Sequence, residues 1–447
     1  MQIWKRKKIL IFTACCCLVL TAIYQHFITK QDTLSMLQRA EPAAASYKEL
    51  EGVYPTYELF NQSRKFLSYA VLSSASGYGG SITMLTTINK KGRIDSAVIL
   101  ENAETPTYLK RVMESGYPEN LQGQAVAKSL KSNQKLDAVS GATRTTEGIL
   151  TAVQKGIAQV GKNQLDIAVP KVASYHFQWE DGAIVLLLIL TVVAAILKLK
   201  KFRIPLFIAS VMIIGFMAKS SLTLGNFMSI LMNKMPVITE RPVWFLAVFG
   251  ILVVTFILGK NVYCGWLCPF GAIQEGIYRA LHLSNNRVDP KIMSASKKSQ
   301  WILIWLAAML GLFFHNPGIA SYEPFSPFFG GAGNTAQWIM MGMVLVLSIF
   351  VLRFWCRCFC PVGSVLDFIA QMKRKWKKIV HRKPNFQHVI GNSEASRCSS
   401  CQSRHSVCQK KEKNKASLSF FNKLIISFIV IMDFLIIAAL LQNAGLI

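Results

Sequence analysis

The chain has 447 residues, 52% of them hydrophobic, and a mean hydropathy of +0.35, values that exclude a single water-soluble domain. Fifty lysines and arginines against 23 acidic residues leave a net charge of +27, which raises nucleic-acid binding as a function class. The excess is confined to 5–8, 198–203, 279–298 and 372–423, while charges nearly balance over 30–181; the charge follows topology, and nucleic acid is not an expected partner.

An apolar run at 9–28 follows Lys5-Arg6-Lys7-Lys8 and lacks a small-residue cleavage pattern, so residues 1–29 read as an uncleaved anchor. Its Cys15, Cys16 and Cys17 read as small hydrophobes in lipid. Six further apolar runs, at 183–197, 204–222, 243–258, 301–314, 338–352 and 424–441, approach the roughly 20 residues that cross a hydrocarbon core about 30 Å thick. Together they predict about seven transmembrane helices. Threading them in order puts all four basic segments on one side, which the positive-inside rule makes the cytoplasm. Residues 30–180 are thereby exported, and a bacterial cytoplasmic membrane is the expected location, with lipid as a partner. Eight of the eleven cysteines lie from Cys264 onward, on or beside the reducing face, where metal or catalytic roles are favoured over disulfides. The predicted fold class is an α+β extracytoplasmic domain (30–180) joined to a polytopic α-helical membrane domain (181–370). A basic cysteine-containing segment (371–422) and a last helix (423–447) follow.

Within the exported domain, residues 81–88 and 94–100 read as strands around the turn Asn89-Lys90-Lys91-Gly92. Residues 146–160 put Ile149, Leu150, Val153, Ile157 and Val160 on one helical face. Before that helix stands Asp137-Ala138-Val139-Ser140-Gly141-Ala142-Thr143. A helix N-terminus offers free amides and a favourable dipole to a phosphate. Gly141 and Ala142 permit close approach, Thr143 adds a hydroxyl and Arg144 a positive charge. The plainer alternative is a turn leading into a capped helix.

The full motif resembles the flavinylation motif of the FMN-binding domain in the flavin subunits of Rnf complexes and sodium-translocating NADH:quinone reductases, shared by NosR-type proteins. That resemblance implies FMN esterified through its phosphate to Thr143 by a flavin transferase, with Asp137, Ser140, Gly141 and Ala142 around it. Two more family-like elements stand upstream, Gly77-Tyr78-Gly79-Gly80 and Glu104-Thr105-Pro106. The glycines are expected to admit the flavin, and Glu104 and Thr105 to lie near its ring or ribityl chain.

A second signal is an internal repeat. Tyr263-Cys264-Gly265-Trp266-Leu267-Cys268-Pro269-Phe270-Gly271 and Trp355-Cys356-Arg357-Cys358-Phe359-Cys360-Pro361-Val362-Gly363 share one pattern. Cysteines four apart on a helix face one way, and a proline after the second ends the turn. Two such ends side by side gather four thiolates, the ligand set of an iron–sulfur cluster; zinc and plain packing are the competing readings. Cys358, outside the shared pattern, reads as inert. The repeat resembles the C-x-x-x-C-P pairs of the NosR and NapH group, which implies 4Fe-4S chemistry at Cys264, Cys268, Cys356 and Cys360. Farther on, Cys398, Cys401 and Cys408 approach a ferredoxin spacing, but Arg404 stands at the third ligand position and Gln409 at the proline position; a metal there is an open alternative.

These signals predict an electron-transfer protein that links cytoplasmic-side metal to external FMN and serves an extracytoplasmic redox protein. The rival is a redox-sensing regulator or maturation factor. Because the two centres fall on opposite sides of the core, a quinone, a further cofactor or a partner subunit is expected to bridge them. His176 and His315 read as interfacial histidines rather than haem ligands, and the loop 315–334 as a Pro/Gly-rich connector.

Overall fold

A computed structural model describes residues 13, 16–21, 23, 33–125, 138–169, 177, 179–281, 288–380 and 407–446. Asp137, His176, Cys398 and Cys401 lie outside the described residues, as does most of the expected anchor. Cys408 falls in a described helix, but its side chain is outside them.

The N-terminal unit is an antiparallel five-stranded meander in the order β1 (Ser46–Leu50), β2 (Thr56–Phe60), β3 (Phe66–Ser76), β4 (Ser81–Ile88) and β5 (Ile94–Asn102). The first three strands escape the sequence reading because β1 is nearly all exposed and β3 is rich in serine and alanine. Helix α1 (Pro106–Glu114) follows the sheet, and α2 (Thr143–Asn163) lies across β3 and β4. The expected apolar face of α2 is buried, with Ile149, Val153 and Val160 fully enclosed. Gly148 allows the closest approach: a Cβ there would sit 2.9 Å from Gly77 Cα and from Ser76 O. The helix start is thus pinned against the Gly77–Gly80 turn.

The second unit is helical. It comprises α3 (Trp179–Ile196), α4 (Arg203–Ser210) with a π-helical turn (Val211–Met217), α5 (Leu224–Leu231), α6 (Pro242–Leu258), α7 (Pro269–Leu281), α8 (Pro290–Phe313), α9 (Thr335–Phe350), α10 (Phe354–Cys358), α11 (Pro361–Val380) and α12 (Val407–Asn443). Among the described residues, two stretches, Trp179–Ile196 and Asn422–Asn443, are helices long and apolar enough to cross a membrane; Pro242–Leu258 and Thr335–Phe350 are shorter apolar helices. Apolar side chains such as Leu186, Ile189, Val253, Ile257, Val430 and Phe434 face outward.

Two segments depart from the expected simple threading. The run at 204–222 does not continue as one helix; after Met217 the chain leaves helical structure over 218–223, with Lys219 at φ +50°, and then enters α5. The loop 315–334 is no passive connector. It is built from a 3-10 turn (Pro317–Ala320) and a π-helical turn (Ser326–Gly330) and is largely buried. The two segments meet: Leu224 N donates to Glu323 Oε1 at 2.6 Å and Gly225 N to Ser321 Oγ at 3.2 Å.

The sheet domain docks on these segments through backbone. Ser81 N donates to Lys234 O at 3.3 Å, Ser229 Oγ to Gly79 O at 3.2 Å, and Val237 N to Ser76 Oγ at 2.7 Å. Glu240 accepts from Ser76 N at 2.7 Å and pairs with Lys155. Lys234, almost fully buried, bonds His315 O at 2.8 Å and pairs with Glu101 at 3.1 Å. Each hydrogen bond is worth about 1 kcal/mol net, but leaving such groups buried and unpaired costs more, so the seam resists partial opening. Gly318 is its tightest point, since a Cβ there would lie 2.0 Å from Glu104 O, a backbone atom with no freedom to yield. Gly318→Val is therefore expected to weaken docking by about 1–3 kcal/mol. The check is limited proteolysis: faster release of the N-terminal domain at unchanged helical content is expected, and wild-type kinetics would count against the seam.

Candidate functional site

Thr143 is exposed at the first position of α2, and no side chain caps that helix end. Its first-turn amides and the positive end of the helix dipole therefore face a cleft of about 260 Å³. The cleft is lined by Tyr78, Tyr108, Gly141, Ala142, Thr143, Arg144, Thr145 and the carboxylate Glu147, with Glu180, Met217, Ala218 and Lys219 supplied by the helical unit. Gly141 has φ +80°, so the turn before Thr143 favours glycine; a Cβ there would also displace the mobile end of Arg111, whose Nη1 lies 2.1 Å away. Arg111 Nη2 in turn donates to Gly331 O at 2.9 Å. Arg144 lies 3.5 Å from Glu180, and Tyr78 and Tyr108 pack edge to face at 4.9 Å. A phosphate with an attached planar ring fits this chemistry: free amides and an arginine at one end, two aromatic rings beside them.

The other expected flavin residues fall behind this wall. Gly77 and Gly79 make room for Glu104, whose Oε1 accepts from Gly79 N at 3.1 Å and whose Oε2 accepts from Thr145 Oγ1 at 2.6 Å. Gly80 packs on Lys234 O and Ala103. Ser140 is exposed on the approach to α2, and Thr105 lines a neighbouring cavity. Lys219, Met217 and Arg111 were missed by sequence reasoning because no local motif marks them; they arrive through tertiary packing.

The four repeat cysteines converge. A Cβ on Gly271 would lie 3.6 Å from Cys356 Sγ and 3.7 Å from Cys268 Sγ; one on Gly363 would lie 3.7 Å from Cys360 Sγ and 3.8 Å from Cys264 Sγ. Each motif glycine thus faces one thiol from each half of the repeat. The prolines stand first in α7 and α11, so both helices point their N-termini at the thiols. Gly271 N donates to Cys268 Sγ and Gly363 N to Cys360 Sγ, both at 3.4 Å. Amide–sulfur bonds and dipoles of this sense stabilise thiolates and the negative charge of a cluster. Arg353 Nη1 donates to Cys264 O at 2.7 Å, and Glu275 ties together Arg203, Arg279 and Arg353 at 2.6–2.8 Å. Among the described residues, no group of three or more His, Cys, Asp or Glu side chains is arranged to hold a single metal ion. Cys358 is buried, its carbonyl held by Ser296 Oγ at 3.0 Å.

The inward loop runs between the two regions. Gly318 packs on Glu104, while Tyr322, four residues on, donates its hydroxyl to Phe359 O at 3.2 Å, next to Cys360. Four residues span at most about 14 Å. A cavity of about 90 Å³ also joins them: Tyr78 and Arg144 line it, as do Tyr263, next to Cys264, and Leu267, next to Cys268. Tyr263 accepts Leu222 N on its hydroxyl at 3.0 Å.

Residues 77–158 match the FMN-binding domain family, and residues 240–287 and 336–379 match the 4Fe-4S binding domain family. The chain is 29% identical to protein NirI of Paracoccus denitrificans over 141 residues, 30% of this chain and 21% of NirI. It is 28% identical to regulatory protein NosR of Pseudomonas aeruginosa over 165 residues, 32% of this chain and 23% of NosR. The ferredoxin-type protein NapH of Haemophilus influenzae is 23% identical over 166 residues, 36% of this chain and 52% of NapH. The chain thus spans under a quarter of NirI and NosR. An FMN-binding domain match and a 4Fe-4S binding domain match thus lie in one polypeptide, which is similar in part to NosR, NirI and NapH.

Burial holds the Glu104 carboxyl above its ordinary 4.5, while Thr145 and Gly79 pull it back down. The folded domain therefore binds this proton more tightly than the unfolded chain does. The stabilisation is complete below the unfolded value and is lost as pH rises through the folded one. Glu104→Gln keeps both hydrogen-bond positions and is expected to flatten that pH dependence. Melting of the purified protein at pH 5 and pH 8 checks this: a smaller pH 5 advantage in the variant is expected, and an unchanged one would remove Glu104 as its source.

Proposed function

We propose that the protein carries electrons between an iron–sulfur cluster held by Cys264, Cys268, Cys356 and Cys360 and an FMN joined covalently to Thr143. The observation that carries this reading is the shared cavity, lined both by Tyr78 and Arg144 of the flavin cleft and by Tyr263 and Leu267 of the first cysteine motif. In the proposed topology about seven helices cross a bacterial cytoplasmic membrane, with the flavin domain outside and the basic segments inside. The bundle's outward-facing apolar side chains support that placement. The FMN supplies one- and two-electron chemistry when bound. Exposure of Thr143 at an uncapped helix start leaves its hydroxyl open to a flavin transferase, and the solvent-facing cleft leaves room for an extracytoplasmic redox protein. A quinone is the proposed membrane-side reactant.

Thr143→Val is expected to abolish flavin fluorescence of the denatured band after co-expression with a flavin transferase, without unfolding the domain. A fluorescent variant band would move the attachment elsewhere. Replacing Cys264, Cys268, Cys356 and Cys360 together by Ser is expected to remove the iron bound to native protein; full iron content would sink the ligand assignment.

The likeness to regulatory protein NosR supports a second reading, a redox sensor. Rapid repeated oxidation and reduction by quinol and an external acceptor distinguishes the carrier, since a sensor changes state without sustained turnover.

A further inference from the structure

Glu323 is 2% exposed and stands on the inward loop between α8 and α9. Its Oε1 accepts the Leu224 amide, whereas its Oε2 is buried without a hydrogen-bond partner. Ser221 Oγ is also buried and unpartnered. Both residues line one small cavity of about 20 Å³, enough for a single water, which needs at least about 10–15 Å³. Three residues of its wall, Tyr78, Tyr108 and Lys219, also line the cleft at Thr143. An ionised carboxylate with a free oxygen in such a place would be costly, so the group holds a proton or a cation.

We propose that Glu323 is a proton-relay residue for the flavin, passing its carboxyl proton through a water at Ser221 toward the cleft and recovering one from outside. The proposal rests on the reading of Thr143 as the flavin site and of the cysteines as the electron source. With FMN bound, its full reduction would take two electrons, which a cluster at the four cysteines would supply one at a time, and two protons. Glu323 supplies one of these by breaking its O–H bond; it becomes a carboxylate and is neutralised by a proton drawn from solvent through the open cleft. The second proton enters from solvent directly.

Among the described residues Glu323 has no ion-pair partner, and burial pushes its carboxyl up to about 7, so it can hold a proton near neutral pH. The titratable groups facing the cavity are Tyr78 and Tyr108 from the sheet domain and Lys219 from the 218–223 segment, with Tyr322 beside Glu323 on its own loop. The tyrosines are pushed up by burial and stay protonated across the neutral range.

The test uses full-length, flavin- and iron-loaded protein in detergent, reduced anaerobically with a low-potential dye while flavin absorbance is followed from pH 5.5 to 8.5. Glu323→Gln keeps the Leu224 acceptor and is expected to slow flavin reduction about tenfold or more at pH 7.5. The slowing should shrink toward pH 5.5, with flavin content, iron content and midpoint potential unchanged. Glu323→Asp and added formic acid–formate buffer should each restore part of the rate. Equal rates at every pH in wild type and Glu323→Gln would overturn the proposal. So would a wild-type rate that depends on sodium concentration and loses that dependence in the variant, which would make the pocket a cation site. Wild-type protein that takes up no covalent flavin would instead overturn the underlying flavin reading, before any rate is measured.

Discussion

The architecture depends on close backbone contact between the sheet domain and the inward-dipping segments of the helical unit. Side chains alone would leave two redox sites on separately moving bodies. Here the Gly77–Gly80 turn lies against Ser229 and Lys234, and Gly318 lies against Glu104, at distances that a single methyl group would forbid. The glycines fix the position of Thr143 relative to the bundle, because α2 is itself pinned to the same turn through Gly148. Close packing of this kind transmits position with little slack.

From that seam the chain reaches the cysteines by two short routes. One passes through Tyr322 to Phe359; the other passes along the cavity to Tyr263. Both end on residues adjacent to the expected ligands. The thiols are held by matching devices in each half of the repeat, a proline-started helix and a glycine amide directed at sulfur. The arginine cluster around Glu275 breaks this symmetry, since Arg203 and Arg279 belong with the first half and Arg353 with the second. Its excess positive charge lies beside the site that gathers negative sulfur.

Much of this was legible in the sequence, though unevenly. Helix α2, strand β4 and the cysteine pairs follow from local periodicity and spacing, which one sequence carries. Strands β1 to β3 did not, because a short exposed edge strand and a serine-rich central one lack clear alternation. The inward course of the loop 315–334 was missed for a related reason. A Pro/Gly-rich stretch between two apolar runs reads as a surface loop, and only the contacts of Gly318, Tyr322 and Glu323 reveal that it turns inward. Lys219, Arg111 and Met217 join the cleft through packing that no motif encodes. The glycines near Glu104 were legible as close-approach points, but the group they admit is a carboxylate of the same domain.

The division of the four thiols between two halves of the chain has a consequence for biogenesis. Cys268 and Cys360 are 92 positions apart, and each glycine-lined corner of the site needs a thiol from both halves. At about 5–20 residues per second of synthesis, the first pair waits roughly 5–20 s before its partners leave the ribosome. The four-thiol site is therefore completed late in synthesis, and its early thiols stand without their partners until the second motif arrives.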